Sequence, residues 1–570
     1  MVGITGKLTL LSVAAAAFVY AQPSIDSGGV LNAASYALPG LANSGIAQGS
    51  MFIVFGRNMG PAAIQIVDRF PLPTTLAGTS VRYTSGGVTS DCPMIYSVAG
   101  QVAALMPSNA QIGAGNVAVT FNGQTSAPSP MTVVKSSLGI FTRNQAGSGP
   151  AIVQNVNSEL DRPTNALIDA ARPGQVMILW GTGLGPVTGN ESAGVLPGDL
   201  GGEIEVLIGG RSVKPTYAGR SGCCAGIDQV VFTVPAGIEG CYVPVAVRTG
   251  AVISNYTSIS ITSTGKNCSD PTGFSAADLE KARSGNFRVG SVVLSRINVK
   301  QSVPGLGTLE IKTDVGSASF IRFDLNSLLA SSGEAALPPY GSCTIATAKS
   351  ESPSGPSSIA GLDAGASLTV NGPKGSKTLT KTAGTIPGIY TAILSSGTPS
   401  IPGIPGLPGI PGLPGGGGSS GDYLDPGSYT ITGPGGTDVG AFSARLTIPS
   451  LLTWSNQDAI NDVTRSQGVT VNWTGGSPND YVYIIGTSVA QSAKVTGTFT
   501  CLERASVGRF AVPAAVLANL PASESIQGVS TGNLIVGSSP AGEAARFTAS
   551  NLDIGVAVYA MASSKSVNFK

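Results

Sequence analysis

The sequence predicts an all-β chain built as tandem immunoglobulin-like β-sandwich modules, and three observations carry that expectation. Glycine fills 78 of 570 positions and charged residues make up only 11%. That composition suits short strands and tight turns, and it lacks the Glu, Lys and Arg that long helices need. Apolar residues recur in short runs, several alternating with polar ones, and the runs end in Gly, Pro and Asn turn signals. Finally, at roughly 100 residues per sandwich, a chain of this length has room for four or five modules with separate cores.

Charge and composition also bound the function. The net charge is +1, from 32 basic and 31 acidic residues. No basic run is visible, so nucleic-acid binding has no electrostatic support. Histidine is absent, which removes the commonest general base, the Ser-His and Cys-His pairs, and the commonest metal ligand. There is no G-x-S-x-G, no zinc spacing and no distinctive acidic pair. No catalytic residue, metal ligand or cofactor-binding residue is therefore nominated.

The N-terminus reads as a secretory signal peptide over residues 1–21. Lys7 supplies the positive region, residues 8–17 with Phe18 and Val19 the apolar core, and Val19-Tyr20-Ala21 a small-x-small cleavage site. The cut falls between Ala21 and Gln22. Gln in place of Cys after the cut argues against a lipid anchor, and no later stretch reaches the ~20 apolar residues of a membrane span. The expected location is secreted or at the cell surface, with the periplasm as the alternative.

Residues 22–137 and 138–263 read as two copies of one module. The segment 49–61, an apolar strand closed by Gly56-Arg57-Asn58-Met59-Gly60-Pro61, matches 174–186, closed by Gly181-Thr182-Gly183-Leu184-Gly185-Pro186. The run 101–107 (QVAALMP) matches 229–235 (QVVFTVP), and 115–121 corresponds to 240–247. In the strand 115–121, Val117, Val119 and Phe121 alternate with small or polar residues, as in a half-buried strand. The glycine-rich closures are read as turns. Gly181 to Pro186 lacks G-x-G-x-x-G spacing, and its proline blocks a following phosphate-binding helix.

These landmarks, with Gly28-Gly29-Val30-Leu31-Asn32-Ala33-Ala34-Ser35-Tyr36, Arg172-Pro173-Gly174 and Tyr217-Ala218-Gly219, resemble the Solibacter-type uncharacterised domain of exported acidobacterial proteins. The resemblance covers about residues 28–262. It implies a tandem of IPT/TIG-like immunoglobulin folds and an exported location. It carries no established activity and no ligand residues. The Cys223-Cys224 pair departs from the pattern.

Residues 264–285 read as a linker with a short helix at 274–282, capped by Ser275 with Asp278 three residues on and Gly285 past its end. A third module is expected over 286–449, with strands at 289–299, 309–323, 390–394, 428–432 and 441–448. Asp425-Pro426-Gly427-Ser428-Tyr429 has the shape of a tyrosine corner. Gly at every third position over 401–415 resembles collagen, but five triplets are few. The segment 396–421 is read as an extended loop inserted into the third module, with a trimerising stalk as the alternative. A fourth module is expected over 450–570, with strands at 468–476 and 481–486. Trp473 is read first as a core residue and second as a ligand-stacking aromatic. The three x-Asp-x-Gly motifs at Asp363, Asp438 and Asp553 are read as turns rather than calcium sites.

Seven cysteines in an exported chain imply disulfides with one left over. Two bridges are expected among Cys223, Cys224, Cys241 and Cys268, with the pairing open. Adjacent Cys223 and Cys224 are expected to face different partners, because a vicinal bridge strains the backbone. Cys343 and Cys501 are expected to pair and clamp modules three and four. Cys92 is left over, either buried or intermolecular. The expected function is a non-catalytic binding or adhesion protein whose partner is an unknown extracellular protein or glycan. A structural scaffold and a carboxylate-dependent polysaccharide-active enzyme are the alternatives.

Overall fold

The computed structural model describes residues 22–269, 275–282, 287–303, 307–323, 337–349, 360–382, 388–395, 422–526, 528–541 and 545–570. It is 53% strand and 4% helix, an all-β chain of tandem immunoglobulin-like modules. Residues 1–21, the Pro-Gly segment 396–421, and Phe274 and Gly285 beside the helix lie outside the described residues. Among the described residues no helix is long and apolar enough to cross a membrane.

The first module packs a five-stranded sheet, centred on Met51–Arg57 and Gln101–Leu105, against a seven-stranded sheet centred on Gly113–Phe121. Alternate side chains of both sheets point inward. Phe52, Val54, Val102, Val81, Tyr83, Val117, Val119 and Val133 form the core. The second module repeats this plan with Val176–Thr182 and Asp228–Thr233 facing Ile204–Ile208 and Gly240–Thr249. The repeat extends to the pairing register. Met51 lies opposite Leu105 and Phe52 opposite Ala104, and the corresponding Val176 and Met177 lie opposite Thr233 and Phe232.

The linker helix runs Ala276–Ala282. Ser275 Oγ accepts the Asp278 N–H at 3.2 Å, and the Asp278 carboxylate accepts the Ser275 N–H at 2.9 Å, a reciprocal cap. Its Leu279 and Ala282 pack with Cys241, Cys268, Phe287 and Ile554. The helix thus joins the second module to the second half of the chain.

In that second half the boundary expected at 449/450 does not coincide with a break in the sheet. Phe287–Val303 pairs antiparallel with Gly307–Phe323 on one side and parallel with Ile554–Ser566 on the other. One 14-stranded sheet therefore runs through both segments. The two cores exchange strands. Phe547, Ala557, Tyr559 and Met561 pack with Val292, Leu294, Phe320 and Tyr429. Cys343 and Ile345 pack instead with Trp454, Trp473, Phe499 and Phe510. A buried ion pair stitches the first of these cores. Arg296 grips Asp314 through Nε and Nη2 at 2.6 and 2.7 Å, and Asp314 also accepts the N–H groups of Tyr423 and Leu424. Those hydrogen bonds hold the Asp314 carboxyl below its usual range against the burial that opposes them.

Candidate functional site

Strands Ser342–Lys349, Val495–Arg504, Tyr481–Ala490 and Asn533–Ser539 lie side by side, and period-two alternation sorts their residues onto two faces. Ile345, Phe499, Ile484 and Val536 face the core. The other face carries Thr344, Ala346, Ala348, Thr496, Thr498, Thr500, Ile485, Thr487 and Ile535, all half-exposed. Registers align them in ranks across the strands. Thr344, Thr500, Ile485 and Ile535 form one, and Ala346, Thr498, Thr487 and Asn533 the next. Strand spacing and residue rise make this a grid of roughly 5 by 7 Å. Thr487 and Thr498 share a hydrogen bond at 3.2 Å. A cavity of about 290 Å³ lies over Thr344, Ala346, Ala348, Thr496, Thr498 and Thr500.

Tyr483 continues the same side of the sheet at its covered end, half-exposed in a rank with buried Ser342 and Leu502. A Cβ added to Gly537 would overlap the Tyr483 ring, so the ring lies over Gly537, its neighbour across the strands. Glycine is needed there because any side chain would displace the ring. Burial pushes the Tyr483 phenol up, so the group stays neutral. The ranks hold no charged residue. Such a face offers hydroxyls for hydrogen bonds, and methyl groups and a ring for apolar contact, with no charge to desolvate.

A second constellation sits where the first two modules meet. Arg220 and Asp228 are cross-strand partners, and both side chains are fully buried. The guanidinium pairs with Asp228 through Nη1 and lies 2.6 Å from Glu191 through Nε. Its Nη2 donates to the Gly49 and Gly185 carbonyls at 2.9 and 3.0 Å, so the contact to Gly49 crosses the module junction. Asp228 accepts the N–H groups of Gly183 and Leu184 at 2.7 and 2.8 Å. Gly183 and Gly185 adopt φ of +113° and +144°, a region open mainly to glycine. The anion this glycine-rich turn holds is the chain's own carboxylate, which is why the turn reading fits and a nucleotide reading does not. Burial raises Asp228 to about 6 and raises Glu191 as well, against the pull of the one guanidinium they share. Glu191, with Thr89, Asp91, Ser108, Asn109 and Asn190, lines a polar groove of about 570 Å³.

The residues singled out by sequence are dispersed. Gln22 is exposed and donates to the Thr125 carbonyl at 2.6 Å, and Ala21 lies outside the described residues. Trp473 is a correction for the ligand-stacking alternative. It is 2% exposed, and its indole N–H donates to the Ala505 carbonyl at 2.8 Å, so no ring face is open to a ligand. Cys241 pairs with Cys268, and Cys343 with Cys501. The second bridge does not clamp two modules. Cys343 and Cys501 are directly opposed on neighbouring strands of one sheet, within one core. Cys223 and Cys224 pair with each other, which corrects the expectation that they face different partners. Their loop is a tight return, with the Ser221 N–H donating to the Ile227 carbonyl at 2.9 Å. Cys92 is free and buried, and burial pushes its thiol up to about 12.

Tyr429 forms the tyrosine corner, donating to the Tyr423 and Asp425 carbonyls at 3.0 and 2.9 Å. The turns at Asp363 and Asp438 close on each other, since Asp438 accepts the Asp363 N–H at 2.8 Å and Asp363 accepts the Thr437 hydroxyl at 3.0 Å. Asp553 accepts the Arg288 N–H at 2.8 Å. Sequence reasoning missed Tyr483, the threonine ranks and the Arg220 cluster. The alternation Thr496-Gly497-Thr498-Phe499-Thr500 was the available signal for the face.

No family model matches the chain, and no curated protein does. Among solved structures the chain is similar to the gamma-CGTase from Alkalophilic bacillus clarkii, at 13% identity and a TM-score of 0.15, covering 48% of this chain and 34% of that one. It thus spans about a third of that protein. It is also similar to domains 5–6 of the S-layer protein SbsC, at 11% identity and a TM-score of 0.15, covering 43% and 100%. A third is the SGBP-B of a Bacteroides ovatus mixed-linkage glucan utilization locus, at 11% identity and a TM-score of 0.14, covering 87% and 95%.

Proposed function

We propose that this chain is an exported, non-catalytic binding protein that adheres to a neutral polysaccharide through the threonine-rank face. The observation that carries the reading is that face itself: aligned hydroxyl and methyl groups beside the Tyr483 ring, without a charge in the ranks. Sugar rings present the matching chemistry, with hydroxyls at the edge and apolar C–H groups on the face. Export is supported by the bridges, which persist in oxidising compartments. Placement of residues 28–262 in the Solibacter-type domain is part of the same reading, supported by the shared register of the two repeats.

The test is co-sedimentation of mature protein, starting at Gln22, with insoluble neutral glucans, xylan and chitin, backed by a glycan array. Binding to one or more neutral polymers is expected. Thr498→Lys and Tyr483→Ala are each expected to weaken it about tenfold or more, by adding a charge to desolvate or removing the ring. Retention of only acidic polymers, or parental affinity in both variants, would defeat the proposal.

A further inference from the structure

We propose that Cys223–Cys224 is the exchangeable disulfide of this chain, and that its redox state sets how tightly the first two modules are held together. The first half of the inference rests on access. Thiol–disulfide exchange needs a thiolate to reach a sulfur. Cys223 and Cys224 are both exposed, whereas Cys241, Cys268, Cys343 and Cys501 are each at most 6% exposed. Cys92 is buried and its thiol is pushed up to about 12, so it supplies no internal attacking thiolate at neutral pH.

The second half rests on where the loop is fastened. It leaves the sheet at Arg220 and returns at Asp228, the two partners of the buried ion pair. Between them, Gly226 donates its N–H to Glu191 at 2.8 Å and accepts the Thr182 hydroxyl at 2.5 Å. Thr182 Oγ1 in turn accepts the Met51 N–H of the first module at 2.8 Å. A Cβ added to Gly226 would also lie 2.5 Å from Leu105 of the first module. The vicinal bridge closes a small ring through one peptide unit and fixes the backbone two residues before Gly226. Opening that ring frees rotations that the bridge removes, at the point where the second module touches the first. Glu191 also lines the junction groove, so the groove wall shares this fastening.

The step balances with a dithiol reductant, small or protein-borne. Its thiolate attacks one cysteine sulfur, the Cys223–Cys224 S–S bond breaks, and a mixed disulfide forms. The other cysteine leaves as a thiolate and takes a proton. The second thiol of the reductant then attacks the mixed disulfide and releases the remaining cysteine. Two electrons and two protons have passed to the pair, and the reductant ends as its own disulfide.

The experiment titrates the folded full chain with dithiothreitol, traps free thiols with iodoacetamide and maps the peptides. Cys223 and Cys224 are expected to be alkylated together while the other four bridged cysteines remain paired. Hydrogen exchange on the trapped protein is expected to speed up about fivefold or more at Met51, Gly183, Leu184 and Gly226, and to stay unchanged in Val495–Arg504. Cys223→Ser with Cys224→Ser should exchange like the reduced protein, and if that variant does not fold the titration alone decides. Earlier opening of either other bridge overturns the assignment. Opening of Cys223–Cys224 with unchanged exchange at Met51 and Gly226 overturns the coupling.

Discussion

Replacing Cys343 and Cys501 together with alanine is expected to cost the second half more stability than any other bridge deletion costs its surroundings. The bridge closes a span of 158 residues, and chain-entropy scaling assigns such a loop about 5 kcal/mol. The Cys241–Cys268 span is 27 residues, which gives about 3.5 kcal/mol on the same scaling. The vicinal pair closes almost no loop, and its share falls below about 1 kcal/mol. Cys343, Cys501, Cys241 and Cys268 are all buried, so the loss of packing on truncation is similar for the two larger bridges and the difference between them isolates the loop. Urea unfolding followed by tryptophan fluorescence is the assay. Trp454 and Trp473 sit in the core that holds Cys343 and Cys501, and Trp180, on strand Val176–Thr182, reports the second module, which holds Cys241. If the Cys241/Cys268 double variant loses as much as the Cys343/Cys501 variant, or more, loop closure is not what these bridges contribute.

Other outcomes follow from single contacts. Arg220→Met strands two buried carboxylates and is expected to destabilise the first two modules by about 3–5 kcal/mol, read by calorimetry. Asp228 is raised to about 6 when folded, from 3.8, so the folded chain holds that proton more tightly than the unfolded one. The resulting stability is complete below about pH 4 and is lost as pH rises through about 6. The junction should therefore melt at a higher temperature at pH 5 than at pH 7.5, and Asp228→Asn should shrink that difference to the part that the raised Glu191 contributes. Tyr429→Phe removes both bonds of the tyrosine corner and should cost about 1–3 kcal/mol in chemical denaturation. Trp473→Phe should destabilise its core and leave polysaccharide retention unchanged, since Trp473 has no open face.

The first half of the chain was legible because its information is local. The apolar runs at 51–55 and 176–180 each meet a Gly-x-x-x-Gly-Pro turn, and two further strand landmarks recur in the second copy. The tyrosine corner at Tyr429 and the cap at Ser275 were legible for the same reason: each is complete within a few residues. The exchange of strands in the second half was not. Nothing near Phe287–Val303 says that its parallel partner begins at Ile554, because that pairing is decided by which apolar faces complete a core. The Arg220 cluster was hidden in a chain with few charges, where a glutamate 29 residues before an arginine and 37 before an aspartate looked like an ordinary surface residue. The vicinal bridge ran against a sound rule about backbone strain, and it lies in the tight return between Ser221 and Ile227. The threonine ranks needed registers across four strands, which no single strand reveals.

The parallel pairing of Phe287–Val303 with Ile554–Ser566 also sets a clock. During synthesis the earlier strand emerges some 260 residues before its partner. At roughly 5–20 residues per second that is a wait on the order of 10–50 s. Throughout that interval one edge of Phe287–Val303, a strand of 17 residues, has no native partner, and a long unpaired edge is a template for the wrong one. Whatever keeps the chain unfolded or shielded until Ile554–Ser566 arrives is as much a condition of this architecture as the contacts that finally close it.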